Sequence, residues 1–241
     1  MRVAVLSDVH ANLAALEAVL DEVDAVGVDE LWCLGDTVGY GPQPNECCDR
    51  VNADADLCLV GNHDLVVLGE LTVSDFNDEA AAAALWTADQ LTEASREFLA
   101  ALKPTGGGDG VGLYHGSARD PVWEYVLSEE AAWWTLQATH APLVLVGHSH
   151  VPLAIALDGD SLSGGVAGAD TEVDLTSSRW LLNPGSVGQP RDGDARAAYL
   201  LVELETRASF RRVDYPIAQT QAEMRARRLP EALAERLAHG L

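Results

Sequence analysis

The pattern that most constrains the fold of this chain is a series of short apolar segments, each followed at once by side chains of the kinds that bind metals. In open α/β sheets, sites form at the carboxyl ends of strands, so these loops are expected to meet in one crevice. Alternate residues of an extended segment point the same way, which lets both ends of D-x-H or H-x-H reach one ion. In chain order the groups are Asp8-Val9-His10, Gly35-Asp36, Gly61-Asn62-His63-Asp64, His115-Gly116 and Gly147-His148-Ser149-His150.

Each of these motifs has an ordinary alternative when it stands alone. A Gly-Asp pair is a common turn, and D-x-H often begins a capped helix. The tetrapeptide G-N-H-D is far more specific, and five of the seven histidines of the chain lie within the ordered set. Coincidence is therefore a poor explanation for the set as a whole.

Near the amino terminus, strand-like segments alternate with helical patterns. Leucines and valines recur at helical spacing from residue 13 to residue 23, with Asn12 placed as a candidate N-cap. Residues 31–34 and 57–60 are short apolar segments separated by a candidate helix at residues 45–51. This alternation favours an α/β architecture.

The rest of the chain divides into a helical part and a strand-rich part. Residues 75–102 have a helical pattern throughout, whereas the glycines at residues 106–108 predict a loop. A helix is predicted at residues 128–138, and strands at 111–114, 143–146, 153–157, 180–182, 198–204 and 209–213. We therefore expect one domain at residues 1–205 with a small helical insertion or cap at 65–112, and a strand and helical tail packed on it at 206–241.

In their order, D-x-H, G-D, G-N-H-D, H-G and G-H-x-H resemble the calcineurin-like metallophosphoesterase family, in particular its small prokaryotic phosphodiesterases. The resemblance implies an α/β fold in which two mixed β-sheets pack as a sandwich flanked by helices, a four-layer αββα arrangement. It also implies two ions that share Asp36. The ligands of one would be Asp8, His10, Asp36 and His150, and those of the other Asp36, Asn62, His115 and His148.

The residue types support metal-dependent hydrolysis of phosphate esters. Nitrogen and oxygen ligands suit Mn, Fe, Zn, Co or Ni better than Ca, and two manganese ions are expected, with the other metals as alternatives. Two ions about 3.5–4 Å apart can share a water, lower its pKa and clamp an in-line displacement at phosphorus. By the resemblance His63 faces the substrate, where it is the expected general acid, and Asp64 would orient its ring or raise its basicity.

Candidate substrate contacts are Asn12, Ser186 and Arg191, each with an ordinary alternative. Asn12 is also the expected cap of the first helix. The segment that contains Ser186 either binds substrate or is only a turn. Arg191 either contacts phosphate or is an ordinary surface residue. The family's protein Ser/Thr phosphatases carry an arginine where this chain has Tyr40, which also suits core packing. Small phosphodiesters or phosphomonoesters are therefore the predicted substrates, and phosphoproteins are disfavoured.

Two other functions are compatible with the same fold. One is a non-catalytic scaffold, and the other is a module that senses small nucleotides without turnover. A scaffold is expected to lose ligands or the acid, whereas every ligand position and His63 are occupied by suitable residues here. The enzyme is the preferred interpretation.

Charge and composition narrow the expected partners. The chain has 38 aspartates and glutamates against 15 lysines and arginines, a net charge of −23. Such a field repels nucleic-acid backbones and anionic membranes, so the expected partner is a small phosphate ester rather than a long nucleic acid or a membrane. A dense acidic surface also suits high salt.

The expected location is the cytoplasm. The chain begins directly with a strand-like segment, without the pattern of a signal peptide, and no apolar run approaches the roughly 18 residues of a spanning helix. A homo-oligomer is compatible with these features. The four cysteines form no C-x-x-C pair and are predicted to be small buried apolar side chains.

Overall fold

Two six-stranded β-sheets pack face to face, and helices cover their outer faces. The structure is a computed structural model that describes residues 1–108 and 110–241. The strands are β1 (Arg2–Leu6), β2 (Glu30–Cys33), β3 (Leu57–Cys58), β4 (Thr105–Gly108), β5 (Val111–Tyr114), β6 (Leu143–Val146), β7 (Leu153–Asp158), β8 (Ser161–Val166), β9 (Glu172–Asp174), β10 (Arg179–Asn183), β11 (Ala197–Glu203) and β12 (Arg207–Val213). The helices are α1 (Leu13–Val26), α2 (Pro44–Asp54), α3 (Asn62–Leu68), α4 (Asp78–Gln90), α5 (Glu93–Ala101), α6 (Glu129–Gln137), α7 (Ile217–Ala226) and α8 (Glu231–Arg236).

Both sheets are mixed, which confirms the predicted fold class. The first has the order β3-β2-β1-β11-β12-β9, in which β3, β2 and β1 are parallel and the remaining pairs antiparallel. The second has the order β4-β5-β6-β10-β7-β8, in which β5, β6 and β10 are parallel. The carboxyl ends of the parallel strands are the places where metal-binding motifs follow in the sequence.

Alternate side chains of the central strands enter two different cores. In β1, Val3 and Val5 lie between the sheets, whereas Ala4 and Leu6 pack on the side of α1. In β6, Val144 and Val146 pack on the side of α6. Strands buried on both faces are apolar at every position, which explains the continuous apolar segments of the sequence.

One strand contradicts the sequence analysis. The glycines at residues 106–108, predicted as a loop, belong to β4, which pairs with β5 in antiparallel register from Thr105↔Tyr114 to Gly108↔Val111. Glycine has little intrinsic preference for strands, so only the hydrogen bonds offered by β5 reveal this one. The short strands β8 and β9 were not predicted either.

The helical segment that follows the G-N-H-D motif is also divided into more elements than its pattern indicated. The predicted helix at residues 75–102 is two helices, because α4 ends at Gln90 and the side chain of Thr92 accepts a hydrogen bond from the Ser95 N–H to cap α5. These helices pack with α2 and α3 around Val67 and Leu99.

The carboxyl-terminal part contributes to both a sheet and the helical layer. Strand β12 lies between β11 and β9 inside the first sheet. Helices α7 and α8 pack against α4 and the ring of Tyr40 through Met224, Leu233 and neighbouring apolar side chains. No helix among the described residues is long and apolar enough to cross a membrane.

Candidate metal centre

The side chains predicted as ligands lie in one buried cluster, where the carboxyl ends of the parallel strands of both sheets meet. Each is at most 3% exposed. Donor atoms lie within 4.8 Å of one another in three groups, which are Asp8, His10 and His150; His10, Asp36 and His63; and Asp36, His115 and His148. Asn62 joins the third group, since its Oδ1 is 3.1 Å from the Nε2 of His115. Five loops that are distant in sequence therefore supply a single site.

Asp36 connects the two halves of this cluster. Its Oδ2 lies 3.6 Å from the Nε2 of His10 and 3.4 Å from the Nε2 of His115. On the first side, the Nε2 of His150 is 3.0 Å from that of His10 and 3.4 Å from the Oδ1 of Asp8. One carboxylate oxygen of Asp36 can therefore serve both halves.

Backbone carbonyls determine which nitrogen of each histidine is available. The Nδ1 atoms of His10, His115 and His150 each lie 2.7–3.1 Å from a backbone carbonyl oxygen. A carbonyl only accepts, so Nδ1 carries a proton and Nε2 is the nitrogen that faces the cluster and is available to a metal. His148 is reversed: its Nε2 lies 3.2 Å from the Trp123 carbonyl oxygen, which leaves Nδ1 as its free donor.

Two buried carboxylate oxygens in the centre have no hydrogen-bond partner. One oxygen of Asp8 accepts from the His148 N–H at 3.1 Å, and one of Asp36 accepts from the His63 N–H at 2.8 Å. The other two, Asp8 Oδ1 and Asp36 Oδ2, are buried without a hydrogen-bond partner, and each lies 3.4 Å from the Nε2 atom of a histidine. A buried anionic oxygen is costly without a partner, and this donor set fits a divalent cation on each side of Asp36.

Burial and neighbouring charges control protonation in the centre. Burial lowers the pKa of His10 and His150 well below the ordinary value and that of His148 to about 3, so these rings are neutral and hold a free lone pair at neutral pH. Burial also acts to lower the pKa of His115, but the negative charge of Asp36 has the larger effect and raises this pKa to about 9. The pKa of Asp36 lies well below its usual range despite burial, because His115 and other histidines favour its anion.

The backbone of the site is strained in a way that the sequence alone does not show. The residues with positive φ include five predicted ligands at +49° to +64°, namely Asp8, His10, Asp36, His148 and His150. Such left-handed conformations are uncommon outside glycine and cost on the order of 1–3 kcal/mol each. Bonds between loops, such as Asp8 N–H to Gly35 O at 3.0 Å, hold them in place. Strain concentrated on these residues is typical of a functional site.

Two glycines permit the close approach of neighbouring loops. A Cβ at Gly61 would lie 2.1 Å from Asp36 Oδ1, and one at Gly39 would lie 2.6 Å from the His63 ring. Glycine is therefore required at residue 61 because a side chain there would collide with Asp36. It is required at residue 39 because a side chain there would collide with the His63 ring.

His63 lies at the rim of the centre and is 4% exposed. Its ring centroid is 4.4 Å from those of Tyr40 and Phe76, and burial lowers its pKa to about 4. One of its nitrogens also belongs to the donor group of His10 and Asp36. With this pKa the ring is neutral at neutral pH, which by itself suits metal binding better than proton donation, and the predicted role as the acid stays a prediction.

Asp64 has a different role from the one expected. Its two oxygens accept hydrogen bonds from the backbone N–H groups of Val38 and Gly61, at 3.1 and 3.0 Å, and the His63 Nδ1 has no hydrogen-bond partner. Asp64 therefore joins the loops after β2 and β3. It does not orient the His63 ring, which corrects the expectation from sequence.

Asn12 and Ser186 are likewise occupied within the protein. Asn12 caps α1 by accepting from the Ala15 N–H at 3.3 Å, and its amide donates to the Gly188 carbonyl at 2.9 Å. The Ser186 hydroxyl donates to the Asp8 carbonyl at 2.7 Å and accepts from the Gln189 N–H at 2.8 Å. Both are buried and hold the loop after β10 against the loop after β1, so the structure assigns them to the support of the site rather than to substrate contact.

Arg191 brings a positive charge to the centre. Its Nη2 donates to the Gln189 side chain at 2.9 Å and to the Tyr40 hydroxyl at 3.3 Å, while its Nε is buried without a partner. Its charge adds to burial in lowering the pKa of His150. Among the described residues no carboxylate pairs with it. Arg191 is therefore available for an anion.

Sequence reasoning missed the aromatic residues that cover the centre. The Tyr125 ring stacks on His148 with centroids 3.9 Å apart, and Phe76 lies over His63. Both stand in loops without a motif or a spacing that could have identified them. A cavity of about 840 Å³ lies elsewhere, around Trp32 and Trp180. No predicted ligand lines that cavity, so the donor chemistry identifies the site better than cavity size.

Comparison with known proteins agrees with this geometry. Residues 1–207 match the family model described as the calcineurin-like phosphoesterase superfamily domain. An uncharacterized protein of Methanocaldococcus jannaschii is 37% identical over 242 residues, which cover 98% of this chain and 96% of that protein. The crystal structure of a metallophosphoesterase from Sphaerobacter thermophilus is 44% identical with a TM-score of 0.91, and each chain is covered fully. A hypothetical protein from Pyrococcus horikoshii OT3 has the same fold, at 20% identity and a TM-score of 0.80, covering 100% of this chain and 98% of its own.

Proposed function

The chain belongs to the calcineurin-like phosphoesterase superfamily, and on that basis we propose that it hydrolyses small phosphate esters with two divalent metal ions. The observation that carries the proposal is the pair of buried oxygens without a hydrogen-bond partner, Asp8 Oδ1 and Asp36 Oδ2, each 3.4 Å from the Nε2 atom of a histidine. Only a cation or a proton satisfies such an arrangement of acceptors.

Asp36 would be shared between the two ions. Asp8, His10 and His150 would hold one with it, and Asn62, His115 and His148 the other. When bound, the pair supplies a water of lowered pKa as nucleophile and neutralises charge on the phosphate. Manganese is the proposed metal, with iron, zinc, cobalt or nickel as alternatives, because the ligands are nitrogen and oxygen atoms.

The remaining steps belong to side chains of the rim. Arg191 would bind a phosphate oxygen, since a guanidinium makes strong charge-assisted hydrogen bonds to phosphate. His63 would donate a proton to the leaving oxygen, which an alkoxide needs to depart.

The substrate is proposed to be a small phosphodiester or phosphomonoester in the cytoplasm. Tyr40 stands where the related protein phosphatases carry an arginine, and its hydroxyl accepts from Arg191. The net charge of −23 disfavours a long nucleic acid or a membrane as partner. A scaffold or nucleotide-sensing role without turnover is less well supported, because the strained ligand geometry and His63 are both in place.

The proposal is tested by loading the purified protein with Mn²⁺ and assaying bis-p-nitrophenyl phosphate, p-nitrophenyl phosphate and a phosphoserine protein. We expect hydrolysis of at least one small ester, its loss on chelation, and its recovery on adding Mn²⁺ back. The phosphoprotein should stay phosphorylated. Metal-loaded protein that hydrolyses neither small ester would contradict the proposal, and efficient dephosphorylation of the protein would contradict the substrate class.

A further inference from the structure

The carboxyl-terminal tail, residues 216–241, lies beside the metal centre although the match to the family model ends at residue 207. Its helices α7 and α8 belong to the same apolar cluster as the ring of Tyr40. A small gap of about 10 Å³ is lined by residues of both parts, including His10 and Tyr40 from the site and Met224 and Leu237 from the tail. The tail therefore forms one wall of the site, next to a predicted metal ligand.

Gly240 attaches the tail to the loop that carries Arg191. The N–H of Gly193 donates a hydrogen bond to the Gly240 carbonyl oxygen at 3.0 Å. A Cβ at Gly240 would lie 2.7 Å from the carbonyl carbon of Asp194, so only glycine allows the two backbones to come this close. This attachment lies two residues after Arg191 in the sequence.

Thr220 attaches the tail to the same loop on the other side of Arg191. Its buried hydroxyl donates to the Asn12 Oδ1 at 3.0 Å, and the Asn12 amide donates to the Gly188 carbonyl oxygen at 2.9 Å. Gly188 and Gly193 flank Arg191 in the sequence. Because the loop is bonded on both sides of Arg191, the tail restricts its movement.

The guanidinium of Arg191 also lies beside a side chain that the tail supports. Its Nη2 donates to the Tyr40 hydroxyl at 3.3 Å, and its central carbon is 5.8 Å from the centre of the Tyr40 ring. That ring is buried and packs with Met224 of α7. A long side chain loses rotamer freedom when it binds a ligand, and a side chain that is already held in place loses less.

Building on the proposed function, we propose that the tail positions Arg191 for the substrate phosphate, with Thr220 and Gly240 as positioning residues. Neither is a metal ligand, and both act through the loop at residues 188–193. A guanidinium with a fixed direction makes its charge-assisted hydrogen bonds to phosphate with less loss of freedom than a mobile one. Loosening the tail should therefore weaken phosphate binding while both metal ions stay bound.

The test combines tail variants with Arg191→Gln in Mn²⁺-loaded protein, assayed on the small ester that the wild type hydrolyses best. Gly240→Ala and Thr220→Val should each raise KM and lower kcat/KM by about three- to tenfold, with little change in kcat. Thr220→Ser keeps the hydroxyl and should stay near the wild type. Gly159→Ala is the matched control for Gly240→Ala, because Gly159 has a similar φ, +56° against +63°, but no atom within 4 Å of its Cβ.

The background of Arg191→Gln distinguishes positioning from general support of the fold. If the tail acts through Arg191, its substitutions should have no further effect once the guanidinium is gone, because residues that act through one another are not additive. Tail variants that fold, hold metal and lower kcat/KM by the same factor in both backgrounds would overturn the inference. Wild-type kinetics in Thr220→Val would overturn it as well, and this variant decides alone if Gly240→Ala does not fold.

Binding separates this inference from the proposed function. If no ester is hydrolysed, the same variants are titrated with inorganic phosphate by calorimetry, and the same pattern is expected in its dissociation constant. Tail substitutions that leave phosphate affinity unchanged, or a wild type that binds no phosphate, would then overturn the positioning role.

Discussion

The Nε2 atoms of His10 and His150 face each other at 3.0 Å inside the protein, and the Nδ1 atoms of both rings are committed to backbone carbonyls. Two lone pairs at this distance repel unless a cation or a proton lies between them. Burial lowers the pKa of both rings, so a proton is not held there at neutral pH. The folded chain thus maintains an arrangement that a metal ion would stabilise.

Metal binding is therefore expected to stabilise the fold, with two ions per chain. Mn²⁺ at a hundred times its dissociation constant should add about 2.7 kcal/mol per site, because a ligand that binds only the native state stabilises it by mass action. His10→Ala should reduce the stoichiometry towards one ion, whereas His140→Ala, at an exposed residue outside the cluster, should not. Elemental analysis and thermal unfolding measure both effects. At most one ion in the saturated wild type would contradict the two-ion site.

The His63→Ala variant separates an acid from a ligand. If His63 donates the proton, both ions stay bound and the rate loss depends on the leaving group, on the order of 10²–10⁴ for an alkoxide and much less for p-nitrophenolate. His148→Ala should instead lower metal content and the rate for every ester. The test measures the turnover of both variants on esters whose leaving groups differ in pKa, together with the metal content of each variant. Equal losses across the series, or a lost ion in His63→Ala, would show that His63 is not the acid.

Gly61→Ala should weaken the site by contact rather than by backbone strain, because Gly61 has a negative φ. The added Cβ would lie 2.1 Å from Asp36 Oδ1 and must displace that carboxylate. Overpacking of this kind costs about 1–3 kcal/mol, and metal affinity should fall with it. Gly168→Ala is the control, since no atom lies within 4 Å of its Cβ. Unchanged metal affinity and melting temperature in Gly61→Ala would refute the contact argument.

Arg191→Gln should lower kcat/KM by about ten- to hundredfold without loss of metal, since a hydrogen bond to a charged group contributes about 1.5–3 kcal/mol. Arg225→Gln is a suitable control, because Arg225 is exposed and paired with Glu231. Steady-state kinetics on the preferred ester and elemental analysis provide the measurements. A variant with wild-type kinetics would remove Arg191 from the substrate site.

Added salt should stabilise the metal-free protein. A net charge of −23 implies self-repulsion in the compact state, which salt screens. The unfolding midpoint should rise between low and molar KCl, and sodium chloride should act equally, since screening does not depend on the cation. Midpoints that stay flat would mean that the acidic residues are too far apart to repel strongly.

Predictions from sequence succeeded where the signal was local. The apolar strands of the first sheet and the helix after Asn12 were recognised because burial leaves a periodic pattern in a few consecutive residues. The loop expected at residues 106–108 was wrong for the same reason, since glycine leaves no such pattern and β4 depends on its pairing with β5. Asp64 and Ser186 were assigned to chemistry because their partners, Val38 and Asp8, are distant in sequence.

The sequence by itself determined the kinds of metal-binding side chain and their order, because each motif follows its own strand directly. Only the tertiary structure decided how they are used. Loops from both sheets meet around Asp36, which brings its Oδ2 within 3.6 Å of the Nε2 atoms of His10 and His115, and Tyr125 came to lie on His148 although neither motif nor spacing links them. Hydrogen bonds and ring contacts depend on the positions of groups brought together by packing, and a local pattern carries no information about those positions.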